Sequence, residues 1–244
     1  MWVTNQIPLF FKVAGLIYYP SLRIGQSVMK NKEPYKIKKI LFCWNFFMAF
    51  MSALGAFYTV PFLLKAVYNW EGNRVYCDNQ TIINNRTIYP IILVFAWTKI
   101  FEWVDTLFLV LRKRKIIFLH WFHHLLTFCY SLHSMMNLNT MMTACWFTSM
   151  NLAVHAIMYS YYACTSIGIK FTKASTLITV LQTSQMFVGV YVSIKALSCK
   201  DVNYTSTALS TIMYSIYVYL FTKLLIRKIK HTATQLLQNK SKIT

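Results

Sequence analysis

Three imidazoles stand in the segment His120-Trp121-Phe122-His123-His124, an HxxHH box at the start of an apolar run. On an α-helix at ~100° per residue, positions i, i+3 and i+4 share a face, so the three rings look the same way. Polar groups held at membrane depth are costly and by default mark function. A face of this kind can do two chemistries. One is acyl transfer, with one His as nucleophile and its neighbours as acid, base and orienter. The other is binding of iron or zinc, for which His and carboxylate ligands are suited.

The chain around the box is built for lipid. Of its 244 residues 57% are hydrophobic and only 13% charged, more apolar surface than a soluble domain of this size could hide. The fold class this implies is all-α and polytopic, with spans of ~20 apolar residues and no β-barrel alternation. Seven spans are expected near 8–28, 40–67, 88–111, 116–136, 140–164, 174–196 and 207–226, the first interrupted by Lys12, Pro20 and Arg23. Together they make one integral membrane domain over 1–244, ending in a basic tail over 227–244. The N-terminus has no basic n-region and is not read as a removed signal peptide.

The net charge of +19 sits in short runs between the spans: Lys30 to Lys39, Arg112 to Lys115, Lys170 with Lys173, and the tail from Arg227. Runs so placed fit positive-inside topology and attraction of an anionic substrate or headgroup. They do not fit nucleic-acid binding. The remaining loops carry three glycosylation sequons, at Asn79, Asn85 and Asn203, all on the side that the basic loops avoid. A lumenal N-terminus and a cytosolic C-terminus satisfy both signals. The chain ends Lys240-Ser241-Lys242-Ile243-Thr244, a KxKxx pattern that reads as a retrieval address for the endoplasmic reticulum membrane. Cys77 and Cys199 alone among the six cysteines fall in the loops assigned to the oxidising side, so a Cys77–Cys199 disulfide is expected.

With ~1.5 Å of rise per residue, depth can be counted from the cytosolic end of each span. His123, His155, Glu102, Asp105, Gln182 and Gln185 then fall in one layer on four helices, roughly 8–17 Å below that face. His133, by contrast, lies about half a turn round the helix from the box and near the lumenal end, and His231 lies in the tail. Six His cannot supply the roughly eight of a membrane di-iron enzyme. A single-metal site of three His with Asp105 stays open as the weaker reading, and no metal is expected. A seven-helix transporter is the competing class, but spans four to six lack the Pro breaks such a protein often places around its site.

These residues resemble the ELO family of very-long-chain fatty acid elongases, the 3-ketoacyl-CoA synthases. Lys99-x-x-Glu102-x-x-Asp105-Thr106, His120-x-x-His123-His124, Asn151-x-x-Val154-His155-x-x-Met158-Tyr159 and Thr179-x-x-Gln182-x-x-Gln185 match four family motifs in order. The wording around the box is most similar to the saturated and monounsaturated-chain subfamily. Where the family often has Trp-Lys-Lys before TxxQxxQ, this chain has Lys173-Ala174-Ser175-Thr176, so the motif does not identify the cations that hold the CoA phosphates.

The resemblance implies condensation of a long-chain acyl-CoA with malonyl-CoA to 3-ketoacyl-CoA, CO2 and CoA, with six of the seven helices enclosing an acyl tunnel. The catalytic candidates are His120, His123, His124, His155, Glu102 and Asp105. His123 is expected to carry the acyl group, Asp105 and Glu102 to orient imidazoles, and His155 to polarise the malonyl unit. Lys99, Asn151, Tyr159, Gln182, Gln185 and Lys173 are the substrate-binding candidates, Asn151 and Gln182 as oxyanion donors. Lys99 reads more readily as a partner of Glu102 one turn on. No cofactor is implied beyond the two CoA substrates. The partners implied are membrane lipid and the ketoacyl reductase, dehydratase and enoyl reductase of the cycle, with room left for a homo-oligomer.

Overall fold

Long apolar runs with few helix breakers fold as long helices, because buried or lipid-facing backbone must satisfy its own hydrogen bonds. The computed structural model describes residues 2–169, 171 and 174–240, with side chains over 13–169, 171 and 174–234. Lys170, Lys173 and residues 241–244 of the KxKxx ending lie outside the described residues. Ten α-helices and one 3-10 turn are present among the described residues, and no strand. They are α1 (Trp2–Met29), α2 (Lys38–Asn69), α3 (Arg74–Cys77), α4 (Asn79–Ile83), α5 (Ile88–Phe101), α6 (Trp103–Leu111), α7 (Phe118–Met135), α8 (Met141–Ser166), α9 (Ala174–Ala196) and α10 (Tyr204–Lys240).

Three of these helices, α2, α9 and α10, are long and apolar enough to cross a membrane by length and composition, and the chain is a membrane protein of all-helical fold. Helices α1, α5 with α6, α7 and α8 overlie the other expected segments and do not meet that measure among the described residues. Two differences have physical reasons. The segment over 88–111 is not one helix: the helical ladder is interrupted at Glu102, where the Asp105 amide bonds the Glu102 carbonyl three residues back. The last helix does not stop at 226. It continues to Lys240 and takes in most of the basic tail.

The most extensive packing joins α2 to α8 and α9 to α10. Both pairs rest on a glycine that lets a neighbour approach. Leu152 of α8 lies against Gly55, and the Tyr214 ring of α10 lies across Gly189. The two ends of the bundle are tied differently. At the basic end, Lys113 Nζ donates to the carbonyls of Lys30 (2.9 Å) and Lys32 (3.1 Å), joining the first two basic loops. At the other end a Cys77–Cys199 disulfide, with Cα atoms 5.4 Å apart, links α3 to the loop after α9. The sequon asparagines gather at this second end. Asn79 Oδ1 accepts from the Met142 amide at 2.9 Å, and Asn85 Oδ1 accepts from the Ile88 amide at 2.9 Å. Asn203 Nδ2, the atom that would carry a glycan, donates to Asn137 Oδ1 at 2.8 Å.

An added methyl at Gly189 meets the rigid Tyr214 ring, whereas one at Gly55 meets the flexible end of Leu152. Gly189→Ala should therefore destabilise the bundle by about 1–3 kcal/mol. Gly55→Ala should cost less, and thermal unfolding in detergent compares the two.

Candidate functional site

The site forms where the α5–α6 break faces α7 and α8. Residues three and four apart share a helix face. Glu102 and Asp105 therefore accompany one another on one side, as do His120, His123 and His124 of α7, and Asn151, His155 and Tyr159 of α8.

Glu102 is the hub. It is 2% exposed and Lys99 is 1% exposed, so the pair is removed from solvent. Lys99 Nζ donates to Glu102 Oε1 at 2.6 Å and to Asn151 Oδ1 at 2.7 Å. His155 Nδ1 lies 3.4 Å from Glu102 Oε1, and His124 Nδ1 lies 3.4 Å from Oε2. One carboxylate thus gathers groups from α5, α7 and α8. Asn151 Nδ2 meets His155 Nε2 at 3.3 Å. An amide nitrogen only donates, so Nε2 accepts and the His155 proton sits on Nδ1, facing Glu102.

Asp105 has its own supports. Trp44 Nε1 donates to Oδ1 at 2.7 Å and the Tyr159 hydroxyl donates to Oδ2 at 2.6 Å. Gln182 Nε2 donates to Met158 Sδ at 3.2 Å. His123 is held differently. Its ring packs on Tyr217 and Phe221, with centroids 4.7 Å and 5.6 Å away. Tyr217 donates to the His123 carbonyl at 3.3 Å. The buried His123 Nδ1 has no hydrogen-bond partner among the described residues; His124 Nδ1 makes none either, but it faces Glu102 at 3.4 Å, whereas no carboxylate among them lies that close to His123.

Two cavities meet at this ring. A wide one of about 580 Å³ is lined by Asp105, His120, His123, His124, His155 and Gln182. It reaches the basic end, where Arg112 and Lys228 line it. A narrow one of about 50 Å³ runs the other way between apolar side chains, among them Ile92, Phe147, Met186 and Tyr214. His123 lines both, while Asn151 and Gln185 line the narrow one.

The candidate residues therefore divide. His120, His123, His124, His155, Asp105, Gln182, Asn151 and Gln185 all reach a cavity. Tyr159, expected at the substrate, and Lys99, a substrate candidate that read more readily as the partner of Glu102, line neither; the Lys99–Glu102 pair forms as that reading has it. They lie behind Glu102, Asn151 and Asp105 and hold them in place. Asn151, expected as an oxyanion donor, spends its amide on His155 and Lys99. Among the described residues no three His, Cys, Asp or Glu side chains converge on a point that could hold a metal ion.

Residues that the sequence did not single out are Trp44, Tyr18 and Tyr217, and Arg112 and Lys228 were read only as members of basic runs. Trp44 and Tyr217 reach the site from α2 and α10, far off in sequence, and no local spacing marks them. Lys228 was read only as part of the tail. Its Nζ donates to Ser175 Oγ at 2.9 Å and Thr179 Oγ1 at 2.8 Å, which anchors a cation at the cavity wall.

Removing one partner of a buried ion pair leaves an uncompensated charge. Glu102→Ala should destabilise the protein by about 3–5 kcal/mol. The double variant Lys99→Met/Glu102→Ala should recover much of that loss in chemical unfolding. A loss in the double variant equal to the sum of the losses in Lys99→Met and Glu102→Ala would show that the pair is not coupled.

The model of the ELO: GNS1/SUR4 family matches residues 2–235. "Putative fatty acid elongase 3" of Caenorhabditis elegans is 34% identical over 77% of this chain and 58% of its own length. "Fatty acid elongase 3" of Trypanosoma brucei brucei is 32% identical over 88% of this chain and 82% of its own length. "Very long chain fatty acid elongase 3" of Homo sapiens is 33% identical over 90% of this chain and 78% of its own length. With a match that spans nearly the whole chain and runs through all four motifs of the site, the protein belongs to the ELO (GNS1/SUR4) family.

Proposed function

We propose that the protein is the condensing enzyme of fatty acid elongation. It would join a long-chain acyl-CoA to malonyl-CoA and release 3-ketoacyl-CoA, CO2 and CoA. The observation that carries this reading is the place of His123. A buried imidazole with an unpartnered nitrogen stands between a wide polar cavity and a narrow apolar one. That is the layout needed by a substrate with a polar anionic head and an apolar tail, reacting at the bond between them.

The reaction runs as a ping-pong. His123 attacks the thioester carbon, the C–S bond breaks, and the proton of the acylated ring leaves with the CoA sulfur. Malonyl-CoA then loses CO2, and its enolate carbon attacks the acyl-imidazole. A proton from water restores the imidazole, so atoms and charge balance. Glu102 orients His124 and His155, and Asp105 presents a carboxylate fixed by Trp44 and Tyr159. His155 polarises the malonyl unit, and Gln182 serves the thioester oxygen. Arg112 and Lys228 at the cavity mouth attract the CoA phosphates, which fits the basic end as the entry side. No cofactor enters this scheme.

The wider reading follows the same polarity. All seven helical rods cross the endoplasmic reticulum membrane, six of them around an acyl tunnel that continues from the narrow cavity. The basic loops face the cytosol, and the disulfide and sequon end faces the lumen. The reductases and dehydratase of the cycle take over the product.

Two outcomes test the function. Purified protein given palmitoyl-CoA without malonyl-CoA should gain one acyl group by intact mass and release CoA. His123→Ala should do neither, and an adduct of equal yield on that variant would refute the acyl-imidazole. Tyr214→Ala should widen the narrow cavity and move the product distribution toward longer chains. An unchanged chain-length profile would show that Tyr214 does not bound the tail.

A further inference from the structure

The scheme above gives no role to the first residue of the box. His120 lines the wide cavity beside His123, and its ring centroid is 4.5 Å from that of His124. On its other side, Nε2 lies 3.0 Å from Thr106 Oγ1. Thr106 Oγ1 lies in turn 2.8 Å from the hydroxyl of Tyr18 on α1. Tyr18 and Thr106 are both buried, 5% and 3% exposed, and the Tyr18 ring packs on Trp103 with centroids 4.4 Å apart. No other hydrogen bond to the Tyr18 hydroxyl occurs among the described residues.

Each hydroxyl has one proton to give, which restricts how the chain can run. Suppose His120 Nε2–H donated to Thr106 and Thr106 donated to Tyr18. The Tyr18 proton would then point into packed aromatic surroundings with no acceptor, a costly arrangement for a buried donor. Suppose instead that Thr106 accepted from both neighbours. Its own proton would then need a third acceptor. Thr179 and Thr183 each bond the carbonyl four residues back, but Thr106 makes no such bond. Only one direction satisfies all three groups: Tyr18 donates to Thr106, and Thr106 donates to His120 Nε2.

We propose that Tyr18 and Thr106 form a two-hydroxyl relay that holds His120 as its Nδ1–H tautomer, so that Nδ1–H donates to the substrate carbonyl oxygen beside His123. Tyr18 and Thr106 are positioning residues, and His120 is the group that meets the substrate. Charge gathers on that oxygen when the thioester is attacked and again when the enolate adds. A fixed donor aimed there lowers both barriers. The role of the oxygen rests on the condensation proposed above, whereas the tautomer does not.

The test reads the two separately. Full-length protein labelled with ring-15N histidine is placed in phospholipid bilayers and examined by solid-state NMR, with the His120 signals identified by their loss in His120→Gln. His120 should appear as the Nδ1–H form in the wild type and lose that preference in Thr106→Val, where Nε2 no longer meets a hydroxyl donor. In Thr106→Ser, which keeps the hydroxyl, it should stay Nδ1–H. Condensation by Thr106→Val should show kcat lowered about tenfold with KM for acyl-CoA unchanged, the loss of roughly one oriented hydrogen bond. An Nε2–H or doubly protonated His120 in the wild type would overturn the relay. So would a Thr106→Val variant with both the wild-type tautomer and the wild-type kcat. If the tautomers respond as stated but no acyl-CoA yields CoA with the wild type, the relay stands and the condensation reading falls.

Discussion

A lysine and a glutamate one helical turn apart, both removed from solvent, are the constraint around which the site is assembled. Ionised groups in such surroundings persist only when each finds opposite charge and hydrogen bonds. Lys99 and Glu102 meet that demand by recruiting Asn151 and His155 from α8 and His124 from α7. The energetic need of one carboxylate therefore fixes three helices relative to one another. Because each of its two oxygens faces a different imidazole, it also fixes how those rings sit. The interruption of the α5–α6 ladder falls on this same residue.

Two cavities of different polarity meet at the site. Toward the basic loops the wide cavity is walled by imidazoles, Asp105, Arg112 and Lys228. Past His123 the walls are mainly Phe, Met, Ile and Tyr, with the small hydroxyls of Thr127, Ser131 and Thr148 and the amides of Asn151 and Gln185 among them. His123 alone among the imidazoles lines both spaces, and its buried Nδ1 is unpartnered where His120 and His155 are each bonded to a neighbour. A side chain destined to form a covalent bond under the proposed reaction has reason to be left uncommitted, while its neighbours gain from being tied down.

Much of that tying down comes from outside the motifs. Trp44 of α2 and Tyr159 of α8 grip the two oxygens of Asp105, Tyr18 of α1 reaches His120 through Thr106, and Tyr217 of α10 braces the His123 backbone. Reactive side chains are held in working geometry only when the groups behind them are themselves locked by packing. Helix α1 thus contributes to the site although it touches no cavity through Tyr18. The outer contacts, the Lys113 tie at one end and the disulfide at the other, keep the rods that carry these supports in register.

Much of this was written along the chain. Apolar runs set the positions of the helices, since in lipid the backbone must bond within its own segment. Spacing of three and four placed the acids, imidazoles and amides on common faces, and counting rise per residue put them at one depth. The motifs pointed to the family. What spacing along a single helix cannot express is which side chain on one helix meets which on another. The assignment of Tyr159 and Asn151 to internal support, the reach of Trp44, Tyr18 and Tyr217, and the anchoring of Lys228 all depend on helices distant in sequence, whereas the Lys99–Glu102 pair was legible as residues one turn apart. The break at Glu102 falls in a run that by periodicity reads as one helix. Local sequence determined where polar groups would be tolerated; the packing of α2, α7, α8 and α10 around one buried carboxylate decided which of them face a cavity and which stand behind it.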